Sequence, residues 1–480
     1  MRCSTTISMA ALLSACMSSQ PFVPAQPKPL HAGLRAATGP ASGPIDEATF
    51  ENGLPAVNTT TPKPPPQILE ARTKNGIRIL GIERRELPLV SFGIALKVAG
   101  PDDAVAGFDQ IVIDSVRRST KDHDASDIYG SFDQRAISWD TTSVGARGQL
   151  FVLSAVKPLA FSGIGPALDL FGASGLRTED IEGARDGAAN GTRSPKTTAY
   201  DVAMARLYPG WNVFRASAAD ALSKVATADV RAFATRALTA DNIVVAVGGD
   251  LEWDRVVEHV EEELGQLPHG AIAVRAPPPL QPSGTSLIPK QLAQTEVVVA
   301  FRGPGSNTPE RPVLALARAA VGGQLFRSLR LTHGVTYGSA VSLYPGLAEP
   351  PIVISASVEP GRVLTALDDI FDAIERAKHL TESDVVRDRE LAQSQVYENL
   401  STNVGVVEEL ARIGVLDQPT TWFGDRVTAL GKVTADDIAA VVTKYFRRDA
   451  AQVAIVGDTA GLTKELDARK LGPVEVRSGN

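Results

Sequence analysis

A chain of 480 residues is too long for one hydrophobic core, and the usual span of about 100–200 residues per domain implies two or three. Hydrophobic residues make up 44% and charged residues 21%, which excludes collagenous, coiled-coil and wholly disordered chains. The net charge of −7 is spread along the sequence, so no basic footprint for nucleic acid exists.

The first stretch, MRCSTTISMAALLSACMSSQ, places Arg2 before a short apolar run, Ala10 to Leu13, and then small residues. That is the layout of a secretory signal, too short to span a bilayer. Leu13-Ser14-Ala15-Cys16 resembles the bacterial lipobox, which implies a signal peptide over residues 1–16, lipid on Cys16 and a periplasmic, membrane-anchored chain. In that resemblance Met17, standing where Asp would retain a protein at the inner membrane, favours the outer membrane. Cys3 would leave with the signal, and no thiol would remain for a disulfide. Residues 17–67 are rich in Pro, Ala, Ser and Thr and lack the apolar surface needed to offset ordering. They read as a tether with a reach of about 40 Å.

Beyond the tether the sequence predicts an N-terminal domain at 68–266, a proline-rich linker at 267–290 containing Pro277-Pro278-Pro279, and a C-terminal domain at 291–480. The two domains are related. LSKVATADVRAFATRALTADNIVVAVGGD (222–250) aligns without gaps on LGKVTADDIAAVVTKYFRRDAAQVAIVGD (430–458) at a constant shift of 208, with eleven of 29 positions identical. Each copy reads as a capped amphipathic helix followed by an apolar strand. At the front of the first copy, Asn75-Gly76 signals a hairpin, and an apolar strand runs from Val90 to Val98. Strands and helices mix without a regular βαβ rhythm. The expected fold class is α+β: two homologous domains, each a mostly antiparallel sheet with helices on one face, enclosing a cavity.

The segments NGIRILGIE…PLVSFGIALKVAG, GFDQIVIDSVRRST, IYGSF…SWDTTS, TADNIVVAVGGDLE and GGQLFRSLRLTHGVTYGSAVSL resemble the insulinase/pitrilysin-type metallopeptidase family over about residues 68–460. The resemblance implies a His-x-x-Glu-His helix in the first half, where two imidazoles one turn apart hold zinc and the Glu is the base. Laid from Gly107, that frame puts Gln110 and Asp114 at the histidine positions and Ile113 at the glutamate. The third ligand would fall near Glu182 and Asp186. A glutamine amide is a poor zinc ligand and an isoleucine accepts no proton, so no zinc or other cofactor is expected on this chain. Asp109 and Asp114 read as solvated surface acids.

In the second half the resemblance implies a catalytic pair, Arg330 at the end of a helix and Tyr337 on the following strand, with Gly334 as the helix stop. In relatives these groups donate to substrate and to the oxyanion of the tetrahedral intermediate. Read without the resemblance, the same arginine suits a helix C-terminus and the tyrosine a core strand face. His333, where relatives often carry a second basic residue, and the glycines Gly322 and Gly323, expected just before the helix, are candidate substrate contacts. The implied function is the Arg/Tyr subunit of a heterodimeric periplasmic zinc endopeptidase acting on unfolded peptides. Its partner would be a zinc-bearing paralogue. The alternative is an inactive pseudopeptidase serving as a peptide-binding scaffold or chaperone.

Overall fold

The computed structural model describes residues 64–477 except 99–104, 146–147, 191–193, 213, 215–218 and 274–275. The signal, Cys16 and almost all of the tether therefore lie outside the described residues. Two six-stranded sheets organise the rest. The first holds β1 (Leu69–Arg72), β2 (Arg78–Glu83), β3 (Leu89–Lys97), β4 (Ser138–Val144), β5 (Gly148–Val156) and β6 (Ile243–Gly249) in the order β1-β2-β6-β3-β5-β4. The second holds β7 (Gly284–Pro289), β8 (Thr295–Arg302), β9 (Thr336–Leu343), β10 (Pro351–Val358), β11 (Gln452–Gly457) and β12 (Val474–Val476) in the order β12-β7-β11-β8-β10-β9.

Five strands correspond one to one between the sheets, as the repeat requires. Only the outer strand differs: β1 comes from the N-terminal hairpin and β12 from the C-terminal end. Gly76 turns that hairpin at φ 89, a conformation glycine adopts without strain. Pairing is mostly antiparallel, the exceptions being β2 with β6, β7 with β11 and β7 with β12. Because Gly284–Pro289 forms β7, the proline-rich connector is shorter than the expected 267–290. The repeated Gly249 and Gly457 end β6 and β11 at φ 125 and 143. A Cβ on Gly249 would lie 2.1 Å from the Leu89 carbonyl oxygen, so the identity at this pair records a steric need.

Besides the single turn Ala219–Leu222, the helices of the first half are α1 (Phe108–Val116), α2 (Ala125–Gln134), α3 (Lys157–Gly172), α4 (Thr178–Ala189), α5 (Pro195–Leu207), α6 (Thr227–Ala237) and α7 (Trp253–Leu264). Those of the second are α8 (Glu310–Leu325), α9 (Val363–Arg376), α10 (Glu382–Asn399), α11 (Asn403–Val415), α12 (Trp422–Gly431), α13 (Ala435–Tyr445) and α14 (Leu462–Ala468). Helices α1, α3, α6 and α7 cover one face of the first sheet, burying Ile79, Phe92, Ile94, Phe151 and Val245. The first half thus places its own helices on one face of its sheet, as expected.

The second face of each sheet is covered by a helix from the other half. On the first sheet, Leu80, Ala95, Val152, Val244 and Ala246 pack against Val406, Leu410 and Ile413 of α11. On the second, Val298, Ala300, Val353, Ala454 and Val456 meet Ala199, Ala203, Met204 and Leu207 of α5. Residues 195–207 and 403–415 are related by the same shift of 208. Both helices start alike: the Ser194 hydroxyl accepts from the Thr197 N–H at 3.1 Å and the Thr402 hydroxyl from the Gly405 N–H at 3.0 Å. Gly414 lets α11 approach the sheet, since a Cβ there would stand 2.2 Å from Val244. This exchange makes the chain from Pro64 onward one compact unit.

Candidate functional site

Helix α1 begins at Gly107, whose φ of 88 sets the entry, and carries the frame in which the zinc motif would stand. Gln110 and Asp114 are one turn apart on the same side, as two ligands would be. Here they bond to each other: Gln110 Nε2 donates to Asp114 Oδ2 at 3.1 Å. Asp114 also receives Arg117 through Nε at 2.9 Å and Nη2 at 2.7 Å. The Arg117 guanidinium lies 5.7 Å from the centre of the Trp139 ring on β4, and its carbonyl accepts the Tyr129 hydroxyl at 2.7 Å. Burial alone would lower the Arg117 pKa, but Asp114 and Tyr129 together outweigh it and the guanidinium is raised. Ile113 is fully buried within the first core.

The acids of α1 are therefore not the solvated surface groups that the sequence suggested. Asp114 is half-buried and ion-paired, and burial pushes the Asp109 carboxyl up from the usual carboxylate range. Glu182 and Asp186, where a third ligand would fall, are both exposed on α4. Among the described residues no three His, Cys, Asp or Glu side chains gather as a metal site. The donor set does not fit zinc: an amide, a carboxylate committed to arginine and an alkyl group occupy the three positions of the motif.

The second-half elements are built around a change of helix type. Helix α8 runs on without a break into a π-helix, Phe326–Thr332. A π turn inserts one extra residue per turn and is frequent at functional sites. The His333 N–H closes it on the Ser328 carbonyl at 2.9 Å, the Val335 N–H returns to Leu329 at 2.9 Å, and Gly334 at φ 63 ends the helix as expected. Gly322 and Gly323 sit inside the last turns of α8 rather than in a turn before the helix. Arg330 is exposed on the π turn, beside Leu331 at 67% and Phe326 at 49% exposure. Exposed apolar side chains of that size in one turn are uncommon on a closed surface.

Strand β9 follows at once. The ladder with β10 pairs Gly338 with Ser357 and Thr336 with Val358, which leaves Tyr337 as the extra residue of a bulge. The Thr336 hydroxyl fixes this bulge by accepting from the Gly338 N–H at 3.0 Å and donating to the Ser357 carbonyl at 2.5 Å. The Tyr337 side chain lies outside what is described. His333 Nδ1 is 2.7 Å from Oδ2 of Asp369, a buried carboxylate on α9, with the imidazole partly exposed. His333 thus has a structural partner in addition to its place at the helix end. The sequence reading missed the Arg117–Trp139–Tyr129 cluster beside α1. Its only local signal was Asp114 three residues before Arg117, the spacing of a helical ion pair.

Residues 224–391 match the family model described as Peptidase M16 inactive domain. The chain is 25% identical over 332 residues to an uncharacterized zinc protease of Mycobacterium tuberculosis strain H37Rv, covering 63% of this chain and 73% of that one. An uncharacterized zinc protease of Mycobacterium leprae is 26% identical over 167 residues, 32% of this chain and 37% of that one. Among solved structures, a peptidase M16 inactive domain from Pseudomonas fluorescens superposes with a TM-score of 0.73 at 18% identity, over 82% of this chain and 98% of that one. A protease from Helicobacter pylori gives 0.73 at 15% identity, over 82% and 100%. With the M16 match spanning the junction of its two halves and the zinc frame of α1 altered at all three positions, this chain is similar to M16 zinc-protease-like proteins and carries a degenerate form of their zinc motif.

Proposed function

We propose that the chain is the Arg/Tyr subunit of a two-chain peptidase that cleaves unfolded peptides, with a zinc-bearing paralogue as its partner. The observation that carries this reading is the asymmetry between the halves. In α1 the motif positions hold Gln110, Ile113 and Asp114, and Ile113 is sealed in the core. On the π turn Arg330 stays exposed, seven residues before Tyr337. An arginine brings a permanent charge and a tyrosine a phenolic donor, the groups needed to hold a peptide carbonyl as charge develops on its oxygen. A partner with an intact His-x-x-Glu-His helix would supply the metal. The match to an inactive M16 domain supports a chain that does not act alone.

The test is to mix the purified chain with a paralogue carrying the intact motif and follow cleavage of an unfolded peptide. Neither chain alone should cleave at the rate of the mixture. In the mixture, Arg330→Ala and Tyr337→Phe should each lower kcat by about 10²–10³-fold, the usual cost of losing one oxyanion donor. Full activity in both variants would remove the pair from the mechanism. Saturable peptide binding with no cleavage in any mixture would favour a scaffold or chaperone.

The lipobox-like Leu13-Ser14-Ala15-Cys16 supports a periplasmic location with a lipid anchor in the outer membrane. A Cys16→Ser change should shift the protein from the membrane to the soluble fraction of the cell envelope. Unchanged fractionation would sink the anchor.

A further inference from the structure

Where the two halves meet lies a cavity of about 630 Å³, walled by the end of β4, by β9 and by α8, α10, α11 and α12. Its charged lining is unbalanced: Arg311, Arg318, Arg412 and Arg426 face two acids, Asp388 and Glu409. Both acids are already engaged. Glu409 Oε1 accepts Arg412 Nη1 at 2.7 Å and Asn399 Nδ2 at 2.9 Å, while Asp388 Oδ1 accepts Arg387 Nη2 at 3.2 Å.

Three guanidiniums have no carboxylate within ion-pair distance among the described residues, although the charge of Glu409 reaches Arg426. Arg311 donates to two backbone carbonyls, Tyr344 O at 2.8 Å and Pro304 O at 3.4 Å. Arg426 lies 5.1 Å from the centre of the Trp422 ring. Arg318 is exposed at the rim. Burial, together with the nearby charges of Arg426 and Arg412, pulls the Arg311 guanidinium down to about 10. Burial lowers Arg426 as well. Like charges held in a poorly solvated recess repel one another, and an anion among them removes that cost while gaining charge-assisted, bidentate hydrogen bonds. Among the polar groups that also line it, Leu391, Val396, Trp422 and Phe423 give the wall an apolar stretch. A ligand suited to this wall has a charged end and a greasy one.

We propose that this cavity is a binding site for an oxyanion, carboxylate or phosphate, carried on an apolar body. Arg311 and Arg426 hold the anion, and Trp422 and Phe423 pack against the body. The site is separate from the Arg330 surface, and its test uses the full chain without any paralogue, so it stands or falls independently of the two-chain reading.

Calorimetric titrations with three probes test it: phenyl phosphate, acetyl-Leu-Phe with a free carboxylate, and the same dipeptide amidated. At least one anionic probe should bind saturably at one per chain and weaken as salt is added, with the amide bound at least about tenfold more weakly. Arg426→Met should lower the affinity of that anion about tenfold or more, as expected for one charge-assisted hydrogen bond. Among the described residues this guanidinium contacts the Trp422 ring and makes no hydrogen bond or ion pair, and a thermal melt at or above that of the parent will show that the variant is folded. Arg318→Met, at the exposed rim, should weaken the same anion severalfold. Preference for the peptide identifies a chain terminus as the source of the anion, and preference for phenyl phosphate identifies a phosphate ester. Absence of saturable binding by both anions, or affinity unchanged in both variants, overturns the assignment.

Discussion

At the residue scale, the degeneracy of the zinc motif is written into α1 more deeply than a change of ligands. Gln110 and Asp114 bond to each other and Asp114 is tied to Arg117, so the half-buried side of the helix is satisfied without a cation. Ile113 is packed among the apolar groups of the first core. Returning the family's glutamate there places a carboxylate in that core without a counter-ion. Ile113→Glu should therefore cost about 3 kcal/mol or more in a urea denaturation series. A loss below about 1 kcal/mol would mean that this position is not sealed. The missing donors were legible in the sequence, because an isoleucine cannot be a base whatever surrounds it. The setting of the acids was not. That Asp109 is buried enough to raise its pKa, and that Arg117, the partner of Asp114, is held against Trp139 of β4 and Tyr129 of α2, depends on tertiary packing that no local spacing announces.

At the scale of elements, the exchange of α5 and α11 is what the expected architecture lacked. The signal was present: NIVVAVGG and TEVVVAFR are near-continuous apolar runs, whereas a strand with one wet face alternates. In the structure every residue of β6 is buried and the side chains of β8 divide between two cores. What the sequence could not show was which helix supplies the second layer, since Ala199, Ala203, Met204 and Leu207 have an ordinary helical spacing and would suit either sheet. Met204 is fully buried against the second sheet although it belongs to the first half. Met204→Ala should cost about 2–5 kcal/mol, as for other buried truncations. Because the two halves share these layers, calorimetry should show one melting transition displaced as a whole. A separate shift confined to part of the transition would contradict the shared packing.

At the scale of the molecule, the duplicated α+β plan, the equivalence of β6 with β11 and the Gly334 stop were legible because they rest on repeat and turn chemistry that act locally. The π turn was not legible, since nothing in FRSLRLT distinguishes a π from an α hydrogen-bond pattern. Nor was the arginine-lined cavity. Arg311, Arg412 and Arg426 come from three helices of the second half, α8, α11 and α12, and only their packing brings the guanidiniums to one recess.

The crossed helices also set an order of events during synthesis. The last strand of the first sheet ends at Gly249, yet the helix that covers its bare face ends at Val415. At the usual pace of about 5–20 residues per second, a nascent chain carries that uncovered sheet for roughly 10 to 30 s after its strands have emerged. The opposite helix is made before the sheet it will cover and has nowhere to dock until then. Until both helices are made and docked, the bare sheet face and the unplaced helix are apolar surfaces on which one chain can take another's helix.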